Sequence, residues 1–159
     1  MEDIYGFLTE RRPQSFLVQV IKDTKNILPQ ERRRLIKEMA AVTNPDLFTS
    51  EYEDKQMEKG AYELFYATEK GVMISYAKVV PEKRGSELWE IKDIYTKRTH
   101  RRKGAAALIL RRIVNDFSRI HIVNAPRDSK IREGMGKFYE SLGFETYDGE
   151  HYYYGVYEK

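Results

Sequence analysis

The sequence predicts an α/β fold (α+β) in which one mixed sheet carries helices on both faces. Segments rich in β-branched and aromatic residues and segments whose apolar residues recur at helical spacing follow one another along the chain. The 159 residues also contain no internal repeat and no Pro/Gly/Ser linker, and their number matches one domain of ordinary size. We therefore expect a single domain over residues 1–159, with residues 1–14 as a candidate peripheral N-terminal extension.

The composition narrows the class of protein. The chain has no cysteine, which excludes disulfides, thiolate zinc sites and a cysteine nucleophile, and which is typical of a reducing compartment. Its net charge is only +3, from 28 basic and 25 acidic residues, so charge alone does not indicate a nucleic-acid partner. No stretch has the apolar length of a signal peptide or a membrane span. We expect a cytoplasmic protein without membrane association, either a monomer or a homodimer.

The first half of the chain predicts one strand and two helices. Residues 15–22, SFLVQVIK, fit a buried strand, although apolar residues of this region also recur at helical spacing; we favour the strand. A helix is expected over LPQERRRLIKEMAAV, because Pro29 suits the first helical turn. A second, short helix follows, since Ser50 and Glu53 form a capping-box pair and Gly60 can end the helix.

The second half of the chain is richer in strands. AYELFYATE, GVMISYAKVV and ELWEIKDIYT are predicted strands, and the short link at residues 69–71 suits a hairpin. Two later helices each have one apolar stripe, formed by Ala106, Leu110, Ile113 and Phe117 in the first and by Ile131, Met135, Phe138 and Leu142 in the second. Gly143 can cap the second helix. RIHIVNAP between these helices and FETYD and HYYYGVYE after them complete the order β-α-α-β-β-β-α-β-α-β-β.

A cationic run stands directly before a glycine and three alanines in RTHRRKGAAALIL, residues 98–110. The preceding strand is expected to end at Thr96 and the next helix to start near Gly104, so the run lies in a strand–loop–helix junction. The first turn of a helix has unpaired amides and a partial positive charge. Small residues let phosphate oxygens approach these amides, and the basic side chains neutralise them. The layout predicts a pyrophosphate site, although the chain has neither a P-loop nor a G-x-G-x-x-G pattern there.

Three segments carry a family resemblance. Residues 101–106, Arg-Arg-Lys-Gly-Ala-Ala, match the R/Q-x-x-G-x-G/A signature of the GNAT superfamily of N-acetyltransferases, which this chain resembles. WEIKDIYT resembles the fourth strand of that family, and FYESLGFE resembles the segment that ends its last helix. The resemblance implies a mixed, mostly antiparallel twisted sheet, and it implies acetyl-coenzyme A as the cosubstrate.

The resemblance also implies the residues that bind acetyl-coenzyme A. The pyrophosphate would contact the basic loop and the helix start, and a backbone N–H of the fourth strand would hold the acetyl carbonyl oxygen. The candidate residues are Ile94, Tyr95, Thr96, Arg101, Arg102, Lys103, Gly104, Ala105 and Ala106. Arg132 stands where many members have an asparagine, which makes Asn124 a further candidate. No metal is expected, because His100, His121 and His151 lack metal-ligand spacing.

Acetyl transfer to an amine requires a base for the amine, a polarised carbonyl and an acid for the leaving thiolate. Since the chain has no cysteine, direct attack is the natural mechanism. Glu90 is the candidate base. One alternative is that Glu90 is a surface strand residue paired with Lys92 or with a neighbouring strand, and another is that Asp93 or a water chain is the base. Tyr139 is the candidate acid, because it matches the family's tyrosine in the F-Y-E segment, and the alternative is plain core packing.

The identity of the acceptor amine stays open between a protein lysine or N-terminus and a small polyamine-like molecule. We hypothesise that the acidic residues of EYEDKQMEKG attract a cationic amine, with a solvated helix face as the alternative; they are Glu51, Glu53, Asp54 and Glu58.

Two rival functions are a basic nucleic-acid-binding module, against which the near-balance of charge argues, and a GNAT-like protein that binds coenzyme A or a protein partner without turnover.

Overall fold

The computed structural model describes residues 15–44, 46, 48–83, 85, 87–124, 129–148 and 153–159. The strands are β1 (Phe16–Ile21), β2 (Glu63–Glu69), β3 (Val72–Pro81), β4 (Trp89–Thr96), β5 (Arg119–Asn124), β6 (Glu145–Asp148) and β7 (Tyr153–Glu158). The helices are α1 (Pro29–Val42), α2 (Ser50–Glu58), α3 (Ala105–Asp116) and α4 (Ser129–Ser141). The predicted order of strands and helices is confirmed, including the strand at the N-terminal end. The candidate extension at residues 1–14 lies outside the described residues.

The seven strands form one sheet in the order β1-β2-β3-β4-β5-β7-β6. β4 and β5 are parallel, and the other neighbouring strands are antiparallel, so the sheet is mixed and mostly antiparallel as expected. The β2–β3 hairpin turns through Lys70 and Gly71, whose φ angles are 52° and 80°. Two positive φ angles suit the right-handed twist of the flanking strands, which explains why glycine ends this turn.

Helices cover both faces of the sheet. On one face, α3 and the end of α4 pack on apolar side chains of β2 to β5, with Phe65, Ile91 and Ile122 among them. On the other face, α1 and α2 pack on Leu64 and Tyr76. Among the described residues, no helix is long and apolar enough to cross a membrane.

The predicted capping box of α2 is wrong. Thr49 is the N-cap residue and Ser50 is already helical, and the Glu53 N–H donates to the Thr49 carbonyl at 3.1 Å. The Glu53 side chain cannot reach back to the cap, because it is turned into the interior, where it accepts hydrogen bonds from Tyr62 and Lys78. The end of the helix was predicted correctly, since Gly60 follows it with a φ of 68°.

We expect Leu110→Ala on α3 to lower the free energy of unfolding by about 2–5 kcal/mol, because Leu110 is 0% exposed in the core. Leu28→Ala, just before α1, is the matched control: Leu28 is 63% exposed, and its loss should change stability by less than about 0.5 kcal/mol. Urea denaturation of both variants measures the two effects. Equal losses would contradict the assignment of the core.

Candidate active site

β4 separates from β5 halfway along its length. The parallel pairing joins Trp89, Glu90 and Ile91 to Ile120, His121 and Ile122, and within the described residues it extends no further. β4 nevertheless continues to Thr96 beside β3. The sheet therefore opens between the second half of β4 and the end of β5, and the β4 backbone groups on that side are available to a ligand.

A β-bulge lies at the point where the strands separate. Val79 of β3 pairs with Ile91, but the next β3 residue, Lys78, pairs with Asp93, so Lys92 is the extra residue. The bulge explains why Ile91 and Ile94 both face the α3 side although they are three positions apart. This spacing is the sequence signal that could have revealed the bulge, because a regular strand places alternate residues on one face.

The end of β4 is fixed from the β3 side. The Ser75 hydroxyl donates to the Tyr95 carbonyl at 2.7 Å and lies 3.0 Å from the Thr96 hydroxyl oxygen. Ile94 packs on the α3-side core, whereas the Tyr95 ring lies on the opposite face, 5.5 Å from the ring of Tyr76. The three predicted residues of this strand are therefore rigidly placed beside the opening.

The basic loop ends in a left-handed backbone segment. Arg102 has a φ of 66°, and Gly104, which is the N-cap residue of α3, has a φ of 86°. The first helical hydrogen bond runs from the Leu108 N–H to the Gly104 carbonyl at 3.0 Å. The amides of residues 105–107 thus precede any intrahelical partner, as the anion-site hypothesis requires.

The side chains around this helix start suit an anionic ligand. Ala105 and Ala106 are buried in the core, while Arg101 and Lys103 are exposed and Arg102 is half-buried. The cationic groups therefore lie on the solvent side of a helix end that is built from small residues. A diphosphate fits this donor set, since backbone amides and basic side chains are its usual partners.

Glu90 lies beside the opening on the α1–α2 face. Its β3 partner, Val80, packs on the α1–α2 core, whereas the neighbouring Ile91 faces α3. A Glu90 carboxylate oxygen is 3.3 Å from the Lys92 ammonium, and the other is 3.7 Å from Nε2 of the buried His121. The predicted pairing with Lys92 is thus present. The predicted alternative of a partner on a neighbouring strand is also present, but His121 itself was not identified, because parallel register cannot be read from one sequence.

Tyr139 lies in the α3-side core. The residue is 0% exposed, and its ring lies 5.7 Å from Phe138 and 5.5 Å from Phe144. The candidate acid and the candidate base thus belong to opposite faces of the sheet. Asn124 ends β5 at the far side of the opening, and its side chain lies outside the described part of the structure.

A buried polar cluster connects α2 with β3 and β4. Glu53 and Lys78 form an ion pair, and they are only 5% and 8% exposed. The Tyr62 hydroxyl donates to the second Glu53 oxygen at 2.9 Å, and the Lys78 ammonium lies 3.5 Å from Asp93 and 5.0 Å from the centre of the Tyr62 ring. Sequence reasoning missed this cluster, since its members are far apart in the chain.

The expected acidic surface of α2 is only partly present. Glu53 is neutralised inside the protein by Lys78, and the Asp54 carboxylate accepts a hydrogen bond from Arg32 of α1 at 2.7 Å. Glu51 is exposed on the surface, 3.8 Å from Lys55. Glu53 therefore cannot belong to a solvated patch that attracts an acceptor.

The tyrosines around the buried cluster stay protonated. Burial, together with the charge of Glu53, raises the pKa of Tyr62 far above its ordinary value. Burial also raises the pKa of Tyr76 and of Tyr95. Tyr62 can therefore act as a permanent hydrogen-bond donor to Glu53.

These features define a class of protein: a mixed sheet whose two parallel strands separate, followed in the chain by a basic loop and a helix start that is suited to a diphosphate. A family model described as an acetyltransferase (GNAT) domain matches residues 30–157. The chain therefore belongs to the GNAT family of acetyltransferases, and it is an enzyme of the acyltransferase class. A comparison with curated proteins finds no match.

Solved structures agree with this fold. A GNAT-family protein from Desulfovibrio desulfuricans has a TM-score of 0.64 at 19% identity, covering 91% of this chain and 99% of that one. The N-acetyltransferase PseH from Campylobacter jejuni, in complex with acetyl coenzyme A, has a TM-score of 0.59 at 16% identity, covering 90% and 99%. The ribosomal-protein-S18-alanine N-acetyltransferase from Escherichia coli has a TM-score of 0.59 at 11% identity, covering 88% and 91%.

We expect the free energy of unfolding to fall as the pH rises above 10, because the unfolded chain then loses tyrosine protons that the folded protein retains at Tyr62. One such tyrosine contributes a slope of about 1.4 kcal/mol per pH unit. Tyr62→Phe should reduce the mean slope by about half this amount in denaturation measured from pH 9 to 11, because an unfolded tyrosine with a pKa of about 10 is on average half ionised over this range. Tyr52→Phe, at a residue of α2 that is 58% exposed, is the matched control. An unchanged slope for Tyr62→Phe would contradict the assignment.

Proposed function

We propose that the protein is an N-acetyltransferase that moves an acetyl group from acetyl-coenzyme A to a primary amine by direct attack. The observation that carries the proposal is the left-handed start of α3 at Gly104, which follows in the chain the part of β4 that has no β5 partner among the described residues. PseH, a protein of the same fold, is solved in complex with acetyl coenzyme A, which supports the choice of cosubstrate.

Three groups of residues would hold the cosubstrate. The amides of residues 104–106, with Arg101, Arg102 and Lys103, would bind the pyrophosphate at the helix start. A backbone N–H among Ile94, Tyr95 and Thr96 would hold the acetyl carbonyl oxygen, because the β4 edge beyond Ile91 is unpaired with β5 in the described residues. Asn124 would contact the same ligand from the end of β5.

The two proposed proton transfers use side chains on opposite faces of the sheet. Acetyl-coenzyme A supplies an acetyl thioester whose carbonyl carbon accepts the amine nitrogen as the carbon–sulfur bond breaks. Glu90 would take the proton that the acceptor ammonium must lose before attack. Tyr139 would donate a proton to the leaving sulfur, and the second proton that the nitrogen loses as the amide forms would restore the phenol through solvent. The opening is a gap through the sheet, so it is the place where groups from both faces can approach one ligand.

The acceptor is a primary amine, on a protein or on a small molecule. The Escherichia coli enzyme of the same fold acts on an alanine of ribosomal protein S18, which supports a protein N-terminus as one candidate. A cationic acceptor cannot be recruited by Glu53, since that residue is buried and paired. Asp93, whose side chain is 38% exposed beside Glu90 on the same strand, remains accessible on this face.

Thermal-shift measurements with acetyl-coenzyme A, coenzyme A, ATP, NAD and a short RNA test the proposal directly. A ligand at a hundredfold excess over its Kd stabilises the fold by about 2.7 kcal/mol. We expect stabilisation by the two coenzymes alone. Stabilisation by RNA alone would favour the nucleic-acid-binding function, and coenzyme binding without thiol release on a panel of amines would favour a non-catalytic binder.

We expect Gly104→Glu to abolish coenzyme A binding, because it places bulk and negative charge at the helix start. Gly104→Ala is the matched control: it adds one uncharged methyl group at a φ of 86°, where the backbone strain of a side chain is worth about 1 kcal/mol. Calorimetry should show binding by the alanine variant and none by the glutamate variant. Retained affinity in Gly104→Glu would show that the pyrophosphate binds elsewhere.

We expect Tyr139→Phe and Glu90→Gln each to lower kcat by about 10²–10⁴-fold, because each removes a proton-transfer group, with little effect on coenzyme A affinity. Release of free thiol from acetyl-coenzyme A measures kcat, and calorimetry measures affinity. Phe138→Leu, beside Tyr139 in the same core, controls for altered packing. A kcat in Tyr139→Phe equal to that of the parent would leave Tyr139 with a packing role only.

A further inference from the structure

The bulge of β4 selects one of two registers. If β4 continued without the shift, the Val79–Ile91 pair would be followed by Lys78 opposite Lys92 and by Ala77 opposite Asp93. Two lysines would then face each other, and like charges directly opposite on a sheet are destabilising. Asp93 would lie on the apolar α3 side next to Ala77, where an unpaired carboxylate is strongly disfavoured.

The observed register removes both penalties. Lys78 instead lies opposite Asp93, and its ammonium is 3.5 Å from that carboxylate. The extra residue, Lys92, reaches outward to Glu90. A one-residue slip would turn every following β4 side chain to the other face, so this choice decides where Ile94 and Tyr95 point.

Lys78 is held in place by α2. Glu53 pairs with its ammonium inside the protein, and Tyr62 donates to the remaining Glu53 oxygen. An ion pair this deeply buried contributes little net stability, because desolvation offsets the attraction. Its best-attested use elsewhere is to specify register, which is the choice that β4 presents here.

We propose that Lys78 is a positioning residue of the active site, which fixes the β4 register through Asp93 and is itself held by Glu53 of α2. The consequence for catalysis rests on the proposed function. Backbone groups alternate between the two edges of a strand, and those of Tyr95 and Lys97 point to β3. The amides of Ile94 and Thr96 therefore point to the opening, and they do so only in the bulged register. The pyrophosphate site at Gly104 lies on a separate element, so loss of the Lys78 contact affects alignment of the thioester far more than coenzyme affinity.

The test uses the double variant Lys78→Met with Glu53→Gln. Lys78→Met alone would leave Glu53 buried without its cation, which destabilises a protein by about 3–5 kcal/mol. The double variant removes both charges, keeps the side-chain volumes and preserves an acceptor for Tyr62. Lys55→Met, at an exposed lysine of the same helix α2, is the matched control.

Hydrogen exchange measures the register without any activity. In the double variant we expect the amides of residues 92–97 to exchange about tenfold faster, while those of β2 keep the parent rate, because only the end of β4 is released. Asp93→Asn should have the same local effect, and Asp93→Glu, which restores the charge, should reverse most of it. Unchanged exchange at residues 92–97, or a uniform rise across the sheet, would overturn the proposal.

Kinetics provide a second, separable measurement. In the double variant we expect kcat to fall by about tenfold or more, since small misplacements of reacting groups have effects of this size. Its Kd for coenzyme A should stay within about threefold of the parent value, because a shift that small corresponds to less than one lost hydrogen bond. Equal losses of kcat and affinity would contradict the positioning role. If the parent protein binds no coenzyme A, the proposed function fails, and hydrogen exchange alone then decides the role of Lys78.

Discussion

β4 cannot remain paired with both neighbours along its whole length, because the bulge at Lys92 turns its second half away from β5. Every element of the candidate site depends on this separation. It leaves the second half of β4 without a β5 partner among the described residues, directly before the basic loop and the start of α3 in the chain. The interaction that selects the separation is the contact of Lys78 with Asp93, since the regular register would oppose two lysines.

The start of α3 is the second constraint, and it is purely local. A φ of 86° is readily adopted only by glycine. Few other residue types at position 104 would let the chain turn from the basic loop into the helix. The alanines that follow pack inward as part of the core. Core packing and the proposed ligand site therefore both require small residues at positions 104–106. For this reason the six-residue signature at positions 101–106 can indicate the site.

Features that depend on local periodicity could be predicted from the sequence. Features that depend on the pairing register of the strands or on contacts between distant residues could not. The order of strands and helices and the glycine ends of the hairpin and of α2 follow from spacing within single segments. The capping box was wrong because Glu53 is turned inward by Lys78, which is 25 residues away in the chain. The bulge was missed for the same reason, although the three-residue spacing of Ile91 and Ile94 signals it. Glu90 and Tyr139 stay predictions for the proton transfers.

Glu90 and Tyr139 lie on opposite faces of the sheet, and a gap between two strands is the place where one ligand could contact both. In a closed sheet, side chains on the two faces are separated by the backbone layer. A ligand that enters a gap between two strands lies within that layer, so it can meet a base from one face and an acid from the other. Tyr139 is buried in the α3-side core and Glu90 is partly exposed on the α1–α2 face, so the proposed mechanism requires the thioester to lie between them and the acceptor to enter from the Glu90 side.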